Sequence, residues 1–230
     1  MPEAYIIDAV RTPVGKRKGG LSEVHPADLG AHVLKGLWSA RASTRPLSTT
    51  WSSAARQIGP QAGDIARTCW LVAGLPDSVP GVTIDRQCGS SQQAVHFAAQ
   101  GVMSGHAGPR GGRRRAEHDA MIPISAASWW PSSTASGDPY SGSRAGWSAT
   151  ATRRSASSSA EMIAEKWDIS REDMEAFAYE SHMRAARAPD EGRFAREILP
   201  YGDVTADEGP RRDTTLEKMA GLKPSPRAAA

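Results

Sequence analysis

Apolar residues along this chain fall into two patterns, one helical and one extended. In "HPADLGAHVLKGLW", residues 25–38, Leu29, Val33 and Leu37 stand four apart, and Pro26 precedes them. That spacing lays one apolar face along a helix whose first turn begins at the proline. "GDIARTCWLVAGLP", residues 63–76, reads as a second helix, closed by Gly74 and Pro76. Ala94, Val95, Phe97, Ala98 and Val102 make a third apolar helical run. Residues 159–187, "SAEMIAEKWDISREDMEAFAYESHMRAAR", hold two helices divided at Ile169-Ser170. Ser170 and Asp173 stand there at the spacing of a capping box, with Asp in the place of Glu. The extended pattern is shorter. "AYIIDAVRTPVG" predicts an apolar strand ending in a Thr-Pro-x-Gly turn, and "GVTID" predicts a strand leading toward Cys88. Strands and helices in alternation place the chain in the α/β class.

Three segments carry neither period. They are residues 38–56, 106–118 and 144–158, all rich in Arg, Ser, Ala, Gly and Thr. Long structureless insertions are uncommon in a small domain. Their charge sets them apart as well. They hold ten arginines and one acid, Glu117, so they contribute +9 to a chain of net charge +3 and leave −6 for the rest. The basic balance therefore belongs to these segments. Moving the reading frame of GC-rich codons by one nucleotide recovers patterned protein in each, including "VDDVVFGC" from the first and "VVAGGVQNM" from the second. The three segments are accordingly read as frame-shifted translation, with two apolar core strands replaced by Arg- and Ser-rich text; the alternative reading is genuine low-complexity surface loops.

Composition removes several function classes. Only two cysteines occur, Cys69 and Cys88, with no Cys-x-x-Cys pair, so neither a zinc site nor a disulfide framework is indicated. Cys69, inside the second helix, reads as core. No metal site is expected, because the acidic turn Glu172-Asp173-Met174-Glu175 has no histidine at ligand spacing. It suits the first turn of a helix instead. No apolar run reaches the ~18 residues of a membrane span, and the N-terminus lacks the basic and long apolar parts of a signal peptide. A soluble cytoplasmic protein is expected. "RGGRRR", residues 110–115, has no aromatic residue interleaved and no nucleic-acid fold around it, so no nucleic-acid partner is expected. "GKRKGG", residues 15–20, lacks the phosphate-loop pattern.

The candidate chemistry is at Cys88, in "TIDRQCGSSQQAVHFAAQGVMSG". The cysteine follows a strand, precedes an apolar helix, and is flanked by Gly89, Ser90 and Ser91. Free N–H groups and the dipole at a helix N-terminus stabilise a thiolate, and small neighbours leave room for an acyl group. A buried inert thiol is the alternative reading of the same residues.

"IIDAVRTPVGKRKGGL", "GPQAGDIARTCWLVAGLP", the Cys88 motif and "LEKMAGLKP" together resemble the N-terminal half of a thiolase. "EKWDISREDMEAFAYESHMRAARAPDEGRFAREILP" resembles that family's loop domain, which covers the active site and holds coenzyme A. The resemblance implies an α/β fold: a thiolase-like N-terminal α/β/α domain over 1–120, then a mostly helical, loop-domain-like region over 121–230, with the family's C-terminal half missing. It implies an acyl-CoA acyltransferase of fatty acid metabolism, acting on acyl-CoA or 3-ketoacyl-CoA as substrate, with no further cofactor and as a homo-oligomer. Cys88 matches the acyl-accepting nucleophile. Arg211, in "RRDTTLEKMAGLKP", matches a position that often contacts the nucleotide part of coenzyme A; the alternative reading of it is an exposed charge. The family also uses a His from a "GHPxGxSG"-like motif and a second Cys from a "CxGxG" motif. Neither occurs in these residues. The alternative is therefore an inactive thiolase remnant, or a non-catalytic partner of an intact thiolase. His25, His32, His96, His106, His118 and His182 are read as structural or surface residues.

Overall fold

The computed structural model describes residues 3–6, 8–16, 18–40, 51–55, 64–84, 86, 89–105, 123–126 and 156–223. The chain divides into two units. One comprises residues 1–132 with 195–209, the other residues 133–194 with 210–230.

In the first unit, α1 (Pro26–Ala40), α2 (Ile65–Val72) and α3 (Ser90–Met103) accompany a parallel sheet of β1 (Trp51–Ala55), β2 (Gly81–Ile84) and β3 (Pro123–Ala126). The strand order is β2-β1-β3. Trp51 pairs with Gly81 on one side of β1, and Ser52 with Pro123 on the other. The chain steps from β1 to β2 through α2, then back across β1 to β3 through α3. Crossovers between parallel strands are right-handed as a rule, and two such crossovers in opposite directions put their helices on opposite faces of a sheet. Accordingly α2 and α3 both pack on β1, with no extended contact between them. This is the α/β/α layering expected.

α2 begins where the Asp64 carboxylate accepts the N–H groups of Ala66 (3.0 Å) and Arg67 (3.4 Å). It ends before Gly74, whose φ of +73° is the left-handed conformation that glycine adopts without strain. The core lies between α1 and α2. It is built from Ala27, Ala31, Leu34, Ile65, Ala66, Cys69, Trp70, Ala73 and Val79. Trp38 meets Trp70 edge to face, with ring centroids 6.2 Å apart, and the Trp70 indole N–H donates to the Pro76 carbonyl at 2.7 Å. The predicted first helix is present, but its buried stripe is Ala27, Ala31 and Leu34, while Leu29, Val33 and Leu37 are only half-buried. Small residues on that stripe let α2 approach closely, and this packing outweighs the bulk of the leucines.

Two further expectations are corrected. Residues 4–10 form no strand among the described residues; Tyr5 and Ile6 are exposed, and the only pairing nearby is a parallel bridge from Arg11 to Ile198. An apolar run becomes a strand only where a neighbour completes its hydrogen bonds. Conversely, Trp51–Ala55, inside the first aperiodic segment, is the central strand. Backbone pairing on both sides makes it a strand without any alternation of side chains.

Residues 195–209 are held to the N-terminal segment by charge. Arg11 forks onto Asp207 (2.6 and 2.9 Å) and also reaches Glu197 (2.8 Å). Asp207 in turn accepts the Val14 N–H at 2.8 Å.

In the second unit, α4 (Ala156–Lys166) and α5 (Arg171–Asp190) are divided at Trp167–Ser170, and α6 (Leu216–Ala220) packs on α5. The capping box is present: the Ser170 hydroxyl accepts the Asp173 N–H (3.0 Å), and Asp173 accepts the Ser170 N–H (3.2 Å). Arg171 closes the other end of α6, donating to the carbonyls of Ala220 (3.1 Å) and Leu222 (2.6 Å).

Candidate functional site

The turn between β2 and α3 is the first candidate region. Thr83 on β2 donates its hydroxyl to Asp64 (2.7 Å) and accepts the Ile65 N–H (3.0 Å), which ties the strand to the start of α2. α2 passes so near β2 that a Cβ added at Gly81 would stand 2.5 Å from the Arg67 backbone nitrogen. Beyond the strand, the Ser90 hydroxyl donates to the Arg86 carbonyl (2.8 Å) and accepts the Arg86 N–H (3.0 Å). The Gly89 N–H donates to the same carbonyl at 2.8 Å. The Arg86 guanidinium reaches Gln93 at 3.2 Å. Gly89 is the N-cap of α3 and supplies no capping side chain. Cys88 is the next residue before it in sequence, and like Gln87 it lies outside the described residues. α3 buries Ala94 and Ala98, while Val95 and Phe97 remain largely exposed.

Cys69 is fully buried in α2. Burial pushes its thiol up to about 12, with the nearby Asp28 and Asp64 charges acting in the same direction. It is the core residue its position in the helix suggested, and it is protonated at neutral pH.

Arg211 belongs to the second unit. Its backbone N–H donates to His182 Nδ1 at 3.2 Å, and its side chain is exposed. It borders a shallow pocket of about 100 Å³ with Asp213, Thr214, Lys218, Met219 and Leu222. Lys218 is drawn to the Asp213 carboxylate at 3.1 Å, and that cation holds the carboxyl below its usual range. The pocket is thus bordered by two cations and one carboxylate, with Lys218 already paired to Asp213. Arg212, next in the chain, forks onto Asp190 at 2.6 and 2.7 Å.

The described histidines serve local structure or the surface. His25 Nδ1 accepts the Ala27 N–H (3.1 Å) at the start of α1. His32 Nε2 lies 2.8 Å from the Pro200 carbonyl, with its ring edge-on to Tyr201. His96 is exposed on α3. His106 and His118 lie outside the described residues. The partnership of His182 with Arg211 was not anticipated from sequence. The available signal was the spacing of His182, Ala186 and Asp190 at four-residue steps on one helix. Among the described residues no group of three His, Cys, Asp or Glu side chains could hold a metal ion, and no helix is long and apolar enough to cross a membrane.

Residues 4–228 match the family model described as thiolase, N-terminal domain. A steroid 3-ketoacyl-CoA thiolase, FadA6, of Mycobacterium tuberculosis is 45% identical over 234 residues, which cover 97% of this chain and 56% of that protein. A 3-ketoacyl-CoA thiolase of Pseudoalteromonas translucida is 37% identical, over 97% of this chain and 58% of its own length. The crystal structure of the Bacillus anthracis acetyl-CoA acetyltransferase superposes with a TM-score of 0.73 at 26% identity, covering 98% of this chain and 59% of that one. The chain thus spans somewhat over half the length of the relatives it matches.

Proposed function

The chain belongs to the thiolase family, and from that premise we propose that it carries the acyl-accepting part of an acyl-CoA acyltransferase, with Cys88 as nucleophile. The carrying observation is the sequence position of Cys88, directly before the N-cap of α3 and shortly after β2. In thiolysis the Cys88 thiolate attacks the 3-keto carbonyl of a 3-ketoacyl-CoA. The bond between the α-carbon and that carbonyl breaks, and the departing enolate takes up a proton to become acetyl-CoA. The shortened acyl group remains as a thioester on Cys88. Coenzyme A then attacks this thioester, leaves as the shortened acyl-CoA and regenerates the thiolate. Arg211 meets the nucleotide part of coenzyme A, supported by its exposed guanidinium beside Lys218.

The same reading makes the 230 residues by themselves a poor enzyme, because they contain neither the family's His motif nor its second Cys motif. Loss of a general base costs ~10²–10⁴ in rate and loss of one oxyanion donor ~10²–10³. Such losses do not multiply simply, yet together they bring turnover to background. A second reading rests on the same missing motifs: a non-catalytic chain that associates with an intact thiolase. A homo-oligomer in the cytoplasm goes with the enzyme reading, and gel filtration tests its oligomeric part.

The experiment is thiolysis of acetoacetyl-CoA. The chain alone is expected to show none. A polypeptide that continues it through the remaining residues of a relative is expected to turn over and to stop in Cys88→Ala. Robust turnover by the chain alone refutes the impairment. Failure of a well-folded continued polypeptide on every 3-ketoacyl-CoA tried refutes the thiolase activity.

A further inference from the structure

Residues 210–213 are fastened to α5 at two places, and both fastenings lie on one stripe of that helix. His182, Ala186 and Asp190 stand four residues apart, so they share a face. His182 Nδ1 accepts the Arg211 backbone N–H at 3.2 Å. Asp190 takes the Arg212 guanidinium in a fork, and the Ala186 carbonyl accepts a further Arg212 N–H at 3.1 Å. On the other side, Pro210 restricts the backbone through its ring. Arg211 is thus held by its main chain, while its side chain points into solvent next to the pocket lined by Asp213, Thr214 and Lys218.

We propose that His182 is a positioning residue for nucleotide recognition: by accepting the Arg211 N–H it fixes the origin from which the Arg211 guanidinium reaches a phosphate of coenzyme A. The proposal rests on the reading of Arg211 given above. An arginine that binds phosphate loses rotamer freedom, and an anchored backbone reduces the freedom left to lose. Accepting at Nδ1 places the ring proton on Nε2, so the required group is an acceptor at that one atom. Asparagine carries its Oδ1 the same number of bonds from the backbone as histidine carries Nδ1. It can therefore replace the acceptor, whereas alanine cannot.

The test is a titration of the full chain with coenzyme A, with pantetheine as the ligand lacking the nucleotide. His182→Ala is expected to weaken coenzyme A binding by roughly two- to tenfold, the net worth of one hydrogen bond. His182→Asn is expected to restore it. In an Arg211→Ala background the His182→Ala change is expected to add nothing, since the two act in series. Pantetheine binding should be unchanged by either. Arg211→Ala without effect on coenzyme A overturns the Arg211 reading and the proposal with it, as does absence of measurable binding by the unaltered chain. If Arg211→Ala weakens binding but His182→Ala does not, the positioning role alone is overturned. The same follows if the His182→Ala loss persists without Arg211, or if asparagine fails to restore affinity.

Discussion

Alkylation of the two cysteines by iodoacetamide separates a nucleophile from a core thiol, and the structure sets the size of the difference. Cys69 is fully buried and its thiol is pushed up to about 12. At about pH 8 the thiolate is then ~10⁻⁴ of the total, against roughly a quarter for an ordinary thiol of pKa about 8.5. Thiolate population alone favours the ordinary thiol by ~10³. A more basic thiolate is the better nucleophile, and a Brønsted slope of about 0.4–0.5 returns a factor of ~30–60 to Cys69. The net is about 10² in favour of the other cysteine, before access is considered. Access widens the gap, because the reagent reaches Cys69 only when α2 leaves the core. The assay is peptide mass spectrometry on timed samples, once in buffer and once in denaturant. Cys88 is expected to label at least about 10²-fold faster in buffer, with the ratio collapsing toward one in denaturant. Comparable rates in buffer would refute the burial of Cys69 and the packing of α2.

The fork between Arg11 and Asp207 holds the Asp207 carboxyl below its usual range. A depressed carboxylate stabilises the fold above its unfolded pKa of about 3.9 and loses that contribution as pH falls through the lower folded value. Asp207→Asn is therefore expected to cost about 1–3 kcal/mol near neutral pH in urea unfolding, with the difference shrinking in acid; a difference that grows in acid would contradict it. Gly81→Ala places a methyl group 2.5 Å from the Arg67 backbone nitrogen. It is expected to lower the melting temperature by the equivalent of about 1–3 kcal/mol, and an unchanged melt would show that α2 does not sit that close to β2. DNA encoding residues 38–56, 106–118 and 144–158 is expected to read as apolar-patterned protein in a neighbouring frame. Arg- and Ser-rich text in all frames would mean that these segments are native.

Capping and stop signals were the most legible parts of the sequence. Ser170 and Asp173 gave the start of α5, and Gly74 gave the end of α2, because each acts on backbone groups within a few residues. The faces of helices were less legible. The spacing of Leu29, Val33 and Leu37 announced α1, yet what α1 buries is decided by α2, which a local pattern does not contain. The strand at Trp51–Ala55 carries no alternation and is set by partners 30 and 71 residues away, Gly81 opposite Trp51 and Ile124 opposite Ser53. Arg11 and Asp207, 196 residues apart, also had no local signal for their pairing. At the site, Cys88 was singled out by its small neighbours and its place between a strand and an apolar helix, Arg211 through motif resemblance, and the hold of α5 on Arg211 emerged only from the fold.

Acyl transfer to Cys88 is the step on which the functional reading depends, and it can be observed without turnover. The chain continued through the remaining residues of a relative, with Cys69→Ser and Cys88→Ala variants of that polypeptide beside it, is incubated with excess acetyl-CoA, and its peptides are read by mass spectrometry. The expected result is an acetyl group on the Cys88 peptide, retained in Cys69→Ser, absent in Cys88→Ala, and removed by added coenzyme A. Acetylation spread over lysines with Cys88 unmodified, or no difference between the chain and Cys88→Ala, would contradict an acyl-accepting role for this cysteine.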